Sequence, residues 1–368
     1  MGSRWPLGLL LSVLALVGCT ATKPIIKIGL VAPFEGLYRD VGYDVLYAVK
    51  LALREWNEVG GVEGYMVELV ALDDSGEPDQ APRLASELIL DPLVMGAIGH
   101  FDDQTTLAAS PVYQEGGMAL IAPAVIAGGL EDYPSVFRLG ASEEALGRAA
   151  ALFTWEELGA RRLAVLSLQD PVPQGSRGMG DGKSGLTQAF VIAAQDLGAT
   201  VLSYQDIDHL EKDEGVDLVF FGGRSWEGAT LLLRLRKVGI EAPLMGGFNT
   251  PHFARWAGEA AEGTLYATSA IFVDDPKFLA DYRGLTGTDP GPQAALAYDA
   301  TNLLLAAFEK AIESDGRPTR EGVLAALRGQ AYQGLTGSIV FNEKGEQIDP
   351  PIGVYMIDES GYPGKRLR

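Results

Sequence analysis

The chain has 368 residues, 49 of them acidic against 29 basic, for a net charge of −20 at neutral pH. A body so acidic is repelled by nucleic acid and by anionic lipid. Its 47% hydrophobic and 21% charged content argues against wholesale disorder.

At the amino terminus, Arg4 precedes an apolar run from Trp5 to Val17 that ends in Leu16-Val17-Gly18-Cys19. A run of about a dozen residues has the length of a secretory signal, whereas a membrane-spanning helix needs roughly 20. The expectation is a cleaved signal over residues 1–18, with Cys19 as the new, lipid-bearing terminus. An ordinary signal peptide, or an uncleaved anchor with a chance cysteine, is the alternative. Cys19 is the sole cysteine, so no internal disulfide can form. Setting aside the first 18 of the 368 residues leaves 350, more than one core usually organises, so two domains are expected.

Short apolar strands then alternate with helical patterns, the signature of parallel α/β sheets. Ile25 to Val31 reads as a strand covered on both faces, and Leu46, Val49, Leu53 and Trp56 recur at helical spacing after it. Strands over 65–72, 93–98 and 119–121 and helices over 81–90 and 106–113 complete a first lobe. A second series follows, with strands over 163–167, 200–203, 217–221, 244–245 and 264–267 and helices over 186–197 and 227–238. Helical patterns over 276–286, 294–313 and 320–327 come next. The strands 338–341 and 353–357 read as a closing hairpin. The glycine-rich stretch from Gln169 to Gly185 is expected at the rim of a cleft.

Enzyme chemistry finds little support. His100, His209 and His252 are far apart, no His-Glu-x-x-His or Cys-x-x-Cys occurs, and no metal or other cofactor is expected. Gly223-Arg224-Ser225-Trp226-Glu227-Gly228 is one residue too long for a nucleophile elbow. Gly182-Lys183-Ser184 lacks the earlier glycine of a phosphate loop, because Arg177 holds that position. Asp73-Asp74 and Asp102-Asp103, at strand ends, suit either acid/base or cation chemistry or the capping of turns and helices.

Several segments together carry a resemblance. They are the Leu16–Cys19 run, Ile28-Gly29-Leu30-Val31-Ala32-Pro33, Arg54-Glu55-Trp56-Asn57 with Gly60-Gly61, and Val70-Ala71-Leu72-Asp73-Asp74. Ile98-Gly99-His100, Ala122-Pro123-Ala124, Phe221-Gly222-Gly223, Ala261-Glu262-Gly263 and Phe341-Asn342-Glu343-Lys344-Gly345 continue it over nearly the whole chain. In that order they resemble the periplasmic leucine/isoleucine/valine-binding proteins, type I solute-binding proteins of branched-chain amino acid ABC importers.

The resemblance implies an α/β fold of two doubly wound, Rossmann-like lobes joined by three crossings, a Venus-flytrap clamp. It implies a first lobe of residues 24–140 and 269–336 and a second of 141–268 and 337–363. Ligands of such folds sit outside the carboxyl ends of the strands, which makes Tyr38, Asp103, Gln104, Thr105, Ala124, Ile126, Arg224, Trp226 and Phe248 the candidate contacts. Where the family's amino-acid binders carry a serine, an Ala-Thr pair, a tyrosine and an acid, the matching positions are Asp103, Val125-Ile126, Arg224 and Phe248. Arg224 is then either a fork for a ligand carboxylate, with Asp103 facing an amine or hydroxyl, or the partner of Asp103 across the cleft. In a third reading the alignment slips, and Thr105 or Thr106 does the serine's work.

The expected function is capture of a small amino-acid-like or apolar, planar polar solute by a monomeric, lipid-anchored extracytoplasmic protein. Its partners would be an ABC permease and its ATPase subunits, with no nucleic acid and with membrane contact only through the anchor. A ligand-sensing receptor of the same fold and, more remotely, a secreted hydrolase are the competing readings.

Overall fold

A computed structural model describes residues 23–166, 185–204, 215–248, 251–329 and 331–368. The signal segment, Cys19, His209, Gly182-Lys183-Ser184 and nearly all of the glycine-rich stretch lie outside them.

The first lobe is built on a parallel sheet of β1 (Ile25–Ala32), β2 (Met66–Asp73), β3 (Val94–Ile98), β4 (Ala119–Ala122) and β5 (Val136–Arg138), in the order β2-β1-β3-β4-β5. The apolar run of β1 is explained by cover on both faces. Ile28 and Leu30 pack into one core with α1 (Arg39–Glu58) and α9 (Ala294–Asp315), while Val31 packs into another with α2 (Ala81–Leu90) and α3 (Asp103–Glu115). The late helices α8 (Pro276–Thr286), α9 and α10 (Arg320–Gly329) therefore return to the first lobe, with Leu303, Leu304 and Phe308 fully buried there.

The second lobe has the same build. Strands β6 (Arg162–Leu166), β7 (Thr200–Tyr204), β8 (Leu218–Phe221), β9 (Leu244–Gly246) and β10 (Leu265–Thr268) run parallel. Two antiparallel strands, β13 (Gly353–Asp358) and β14 (Gly361–Arg366), extend the sheet at the β10 edge. Helices α4 (Glu143–Glu156) and α5 (Gly185–Asp196) cover one face, and α6 (Ser225–Lys237) and α7 (Pro251–Ala257) the other. The Ser142 hydroxyl caps α4 by accepting the Ala145 N–H.

The expected closing hairpin does not form. Strand β12 (Gly337–Ile339) pairs with β11 (Tyr332–Gly334), whereas β13 pairs with β10 and β14. Ile339 and Phe341 are buried in the first lobe's core, and Phe341 packs on Phe137 with ring centroids 5.1 Å apart. The segment assigned to the second lobe from residue 337 onward thus starts on the first.

The chain crosses between lobes three times, after β5, after β10 and before β13, and the crossings touch one another. The Gly140 N–H donates to Gln347 Oε1 at 2.9 Å, and Gln347 Nε2 donates to the Ser338 carbonyl at 3.1 Å. Gly140 has φ +117°, and a Cβ there would lie 2.7 Å from the Ser269 hydroxyl, so both conformation and space call for glycine.

Candidate functional site

A cavity of about 620 Å³ lies between the lobes. Its walls come from strand ends: Phe101 after β3, Pro123 to Ile126 after β4, Gly247 after β9 and Ala267 to Ala270 at the end of β10. These are the carboxyl ends of parallel strands, where open α/β sheets bind ligands. One face of α1 supplies Asp40, Tyr43, Asp44 and Tyr47, and the end of α8 with the loop after it supplies Thr286, Thr288, Asp289 and Gly291 to Gln293. The second lobe adds Leu146, Pro251 and His252.

Of the residues singled out from sequence for ligand contact, Tyr38, Ala124, Val125 and Ile126 line this cavity. Burial raises the Tyr38 phenol above its ordinary range, and the charge of Arg224, on the opposite lobe, opposes that shift. The other candidates stand elsewhere. Asp103 Oδ1 accepts the N–H groups of Ile126 at 2.7 Å and Ala127 at 3.0 Å, so it braces the loop after β4 instead of facing Arg224. Burial pushes its carboxyl up to about 6, against the pull of those two amides.

Asp102 caps α3 through the amides of Gln104 and Thr105, which places Gln104 in the helix's first turn. Thr105 and Thr106 are buried and donate their hydroxyls to the Asp102 carbonyl, so neither stands in for a ligand-facing serine. Arg224 is the N-cap of α6, its backbone N–H donating to Glu227 Oε2 at 2.7 Å, and Trp226 is 43% exposed in the helix's first turn. Phe248 is a core residue, fully buried and stacked on Phe253 with centroids 4.5 Å apart. Gly228 and Gly246 make room for it: a Cβ on either would meet its ring within 2.6 Å. The Asp73-Asp74 pair is likewise structural. Asp73 accepts the N–H groups of Phe34 and Ser75, and Asp74 holds buried His100 Nδ1 at 2.7 Å.

Three residues missed at the sequence level shape the cavity. Asp44 Oδ1 accepts the Tyr282 hydroxyl at 2.8 Å and the Gly291 N–H at 2.7 Å, while Oδ2 is buried without a partner. Burial raises its carboxyl above the usual range. Gln293 Oε1 and His252 Nδ1 are also buried and unpartnered. Burial, and then the nearby Arg255, depress the His252 imidazole, with Asp40 opposing them. Their signal was present in part: Asp40, Tyr43, Asp44 and Tyr47 fall at i, i+3, i+4 and i+7, the polar counterpart of the apolar stripe on the same helix. At the cavity mouth, Asp40 Oδ2 joins the lobes by meeting Arg255 Nη2 at 3.0 Å and His252 Nε2 at 3.7 Å.

Comparison with known proteins agrees with this geometry. The sequence profile of one family, described as periplasmic binding protein, matches residues 25–362. A leucine-, isoleucine-, valine-, threonine- and alanine-binding protein of Pseudomonas aeruginosa is 29% identical over 347 residues, covering 90% of this chain and 89% of its own. An ABC transporter substrate-binding protein of Desulfitobacterium hafniense, solved in complex with Leu, is 26% identical, with a TM-score of 0.77 over 93% of this chain and 99% of its own. A leucine-binding protein of Thermotoga maritima is 25% identical, with a TM-score of 0.75 over 92% of this chain and 97% of its own. These relatives are solute-binding proteins, not enzymes.

Proposed function

Because this chain belongs to the periplasmic binding protein family, we propose that it captures a small organic solute between its lobes outside the cytoplasmic membrane and delivers it to an ABC permease. The observation that carries this reading is the cavity itself, whose walls come from the strand ends of both lobes. A solute held there is buried only while the lobes are closed, so binding and closure are one equilibrium. Affinity arises from apolar burial and a few oriented polar groups, and no bond is broken.

The relatives bind aliphatic amino acids, but this chain presents Val125 and Ile126 after β4 and turns Asp103 inward, so its selectivity differs from theirs. We assign residues 24–140 and 269–349 to the first lobe and 141–268 and 350–368 to the second, since Ile339 and Phe341 pack with the first. The Leu16–Cys19 run supports a lipid anchor at Cys19.

The test is to denature the purified protein, identify any released small molecule by mass spectrometry, refold the chain and add the compound back. Melting should rise by several degrees as ligand binding to the folded state alone requires, and the radius of gyration should fall. Absence of both responses, for the released compound and for a panel of amino acids, aromatic acids, amines and polyols, defeats the proposal.

A further inference from the structure

Among the described residues, charge in the cavity wall is one-sided. Three carboxylates, Asp40, Asp44 and Asp289, line it, and among the described residues no lysine or arginine does. Asp40 is compensated by Arg255, and Asp289 by Arg283. Asp44 is different: the neutral Tyr282 hydroxyl and Gly291 amide donate to Oδ1, the Gln293 and Ala294 amides at the start of α9 also favour its charged form, and no cation pairs with it among the described residues, while Oδ2 itself makes no hydrogen bond. An orphaned, buried carboxylate oxygen carries a desolvation cost that a ligand N–H can remove. Gln293 Oε1, the second orphan, is also an acceptor, so the wall asks for donors. The ring of Tyr38 adds a face that attracts cations, whereas Tyr43 and Tyr47 already carry Arg39 and Lys50 at 6.0 and 5.8 Å from their centroids. Among the described residues a ligand carboxylate finds no lysine or arginine in the wall, only like charges in a poorly solvated space, and the Arg224 charge that reaches Tyr38 acts from outside it.

The geometry points to a protonated organic amine with an apolar body and no free carboxylate as the solute class, its ammonium donating to Asp44 Oδ2. This rests on the capture reading above and narrows it. The test uses calorimetry on the refolded, solute-free protein with two matched series: isopentylamine, leucine and 4-methylpentanoate, then 2-phenylethylamine, phenylalanine and 3-phenylpropionate. Within each series only the ionic groups change. At least one amine should bind tenfold or more tightly than its zwitterion and its acid. Asp44→Asn should weaken that amine at least tenfold, and Gln293→Leu, at a position whose side chain makes no cap bond, should weaken it severalfold with melting unchanged. The comparison among ligands on the unmodified protein stands even if Asp44→Asn misfolds. A zwitterion or acid binding as tightly as the amine overturns this assignment and leaves capture intact. Silence of both amines also overturns it, while capture is then judged by the co-purified compound.

Discussion

Asp103 shows how one side chain carries opposing demands. Its carboxyl is buried and held at about 6, although two backbone amides donate to it. The unfolded chain releases this proton near pH 4, so between about pH 4 and 6 the folded state holds more protons. The resulting stability is fully present below about pH 4 and is lost as pH rises through 6, by at most about 3 kcal/mol. Asp103→Asn keeps an acceptor for both amides and removes the titration. Melting temperature should therefore fall from pH 4 to 7.5 in the parent by a few degrees more than in Asp103→Asn, and parallel curves would refute this account. Loop position alone did not separate the two roles of Asp103, because an acid after a strand can face either a ligand or the neighbouring loop. Phe248 misled for a related reason: its burial depends on glycines at 228 and 246, distant in sequence from any visible cavity pattern.

At the scale of elements, parallel strands and the helices between them were legible because burial on both faces writes continuous apolar runs. The short β5 and the helix α4 were not, since three residues carry no periodicity and α4 is rich in alanine and glutamate. The hairpin error has a plain cause: two apolar segments around a polar one look paired, while the actual partner of β12 lies just before it. What holds β11–β12 in place is Asp299 of α9, whose carboxylate accepts the Leu335 and Thr336 amides, each at 2.8 Å, and the Thr336 hydroxyl at 2.6 Å. Asp299→Ala leaves the buried Thr336 amide and hydroxyl and the half-buried Leu335 amide unpaired, and chemical denaturation should show a loss of about 3–5 kcal/mol. A loss below about 1 kcal/mol would mean that the hairpin is held by packing instead.

For the whole molecule, the two-lobed plan followed from length and alternating elements, whereas the cavity's acidic, aromatic wall required the return of the late helices to place the 286–293 segment beside α1. The anchor is tested at this scale as well. Cells expressing the chain should incorporate labelled palmitate into it, and Cys19→Ser should abolish the label and release the protein from membranes. Persistent labelling of that variant would remove the anchor from the account. The bridge from Asp40 to Arg255 is half exposed at both ends, and such pairs contribute under about 1 kcal/mol. So weak a clasp adds little to closure by itself, and on the capture reading the cargo would act as mortar between the halves. Handing that cargo on would then call less for force against the protein's own bonds than for a competitor for the grip on what is carried.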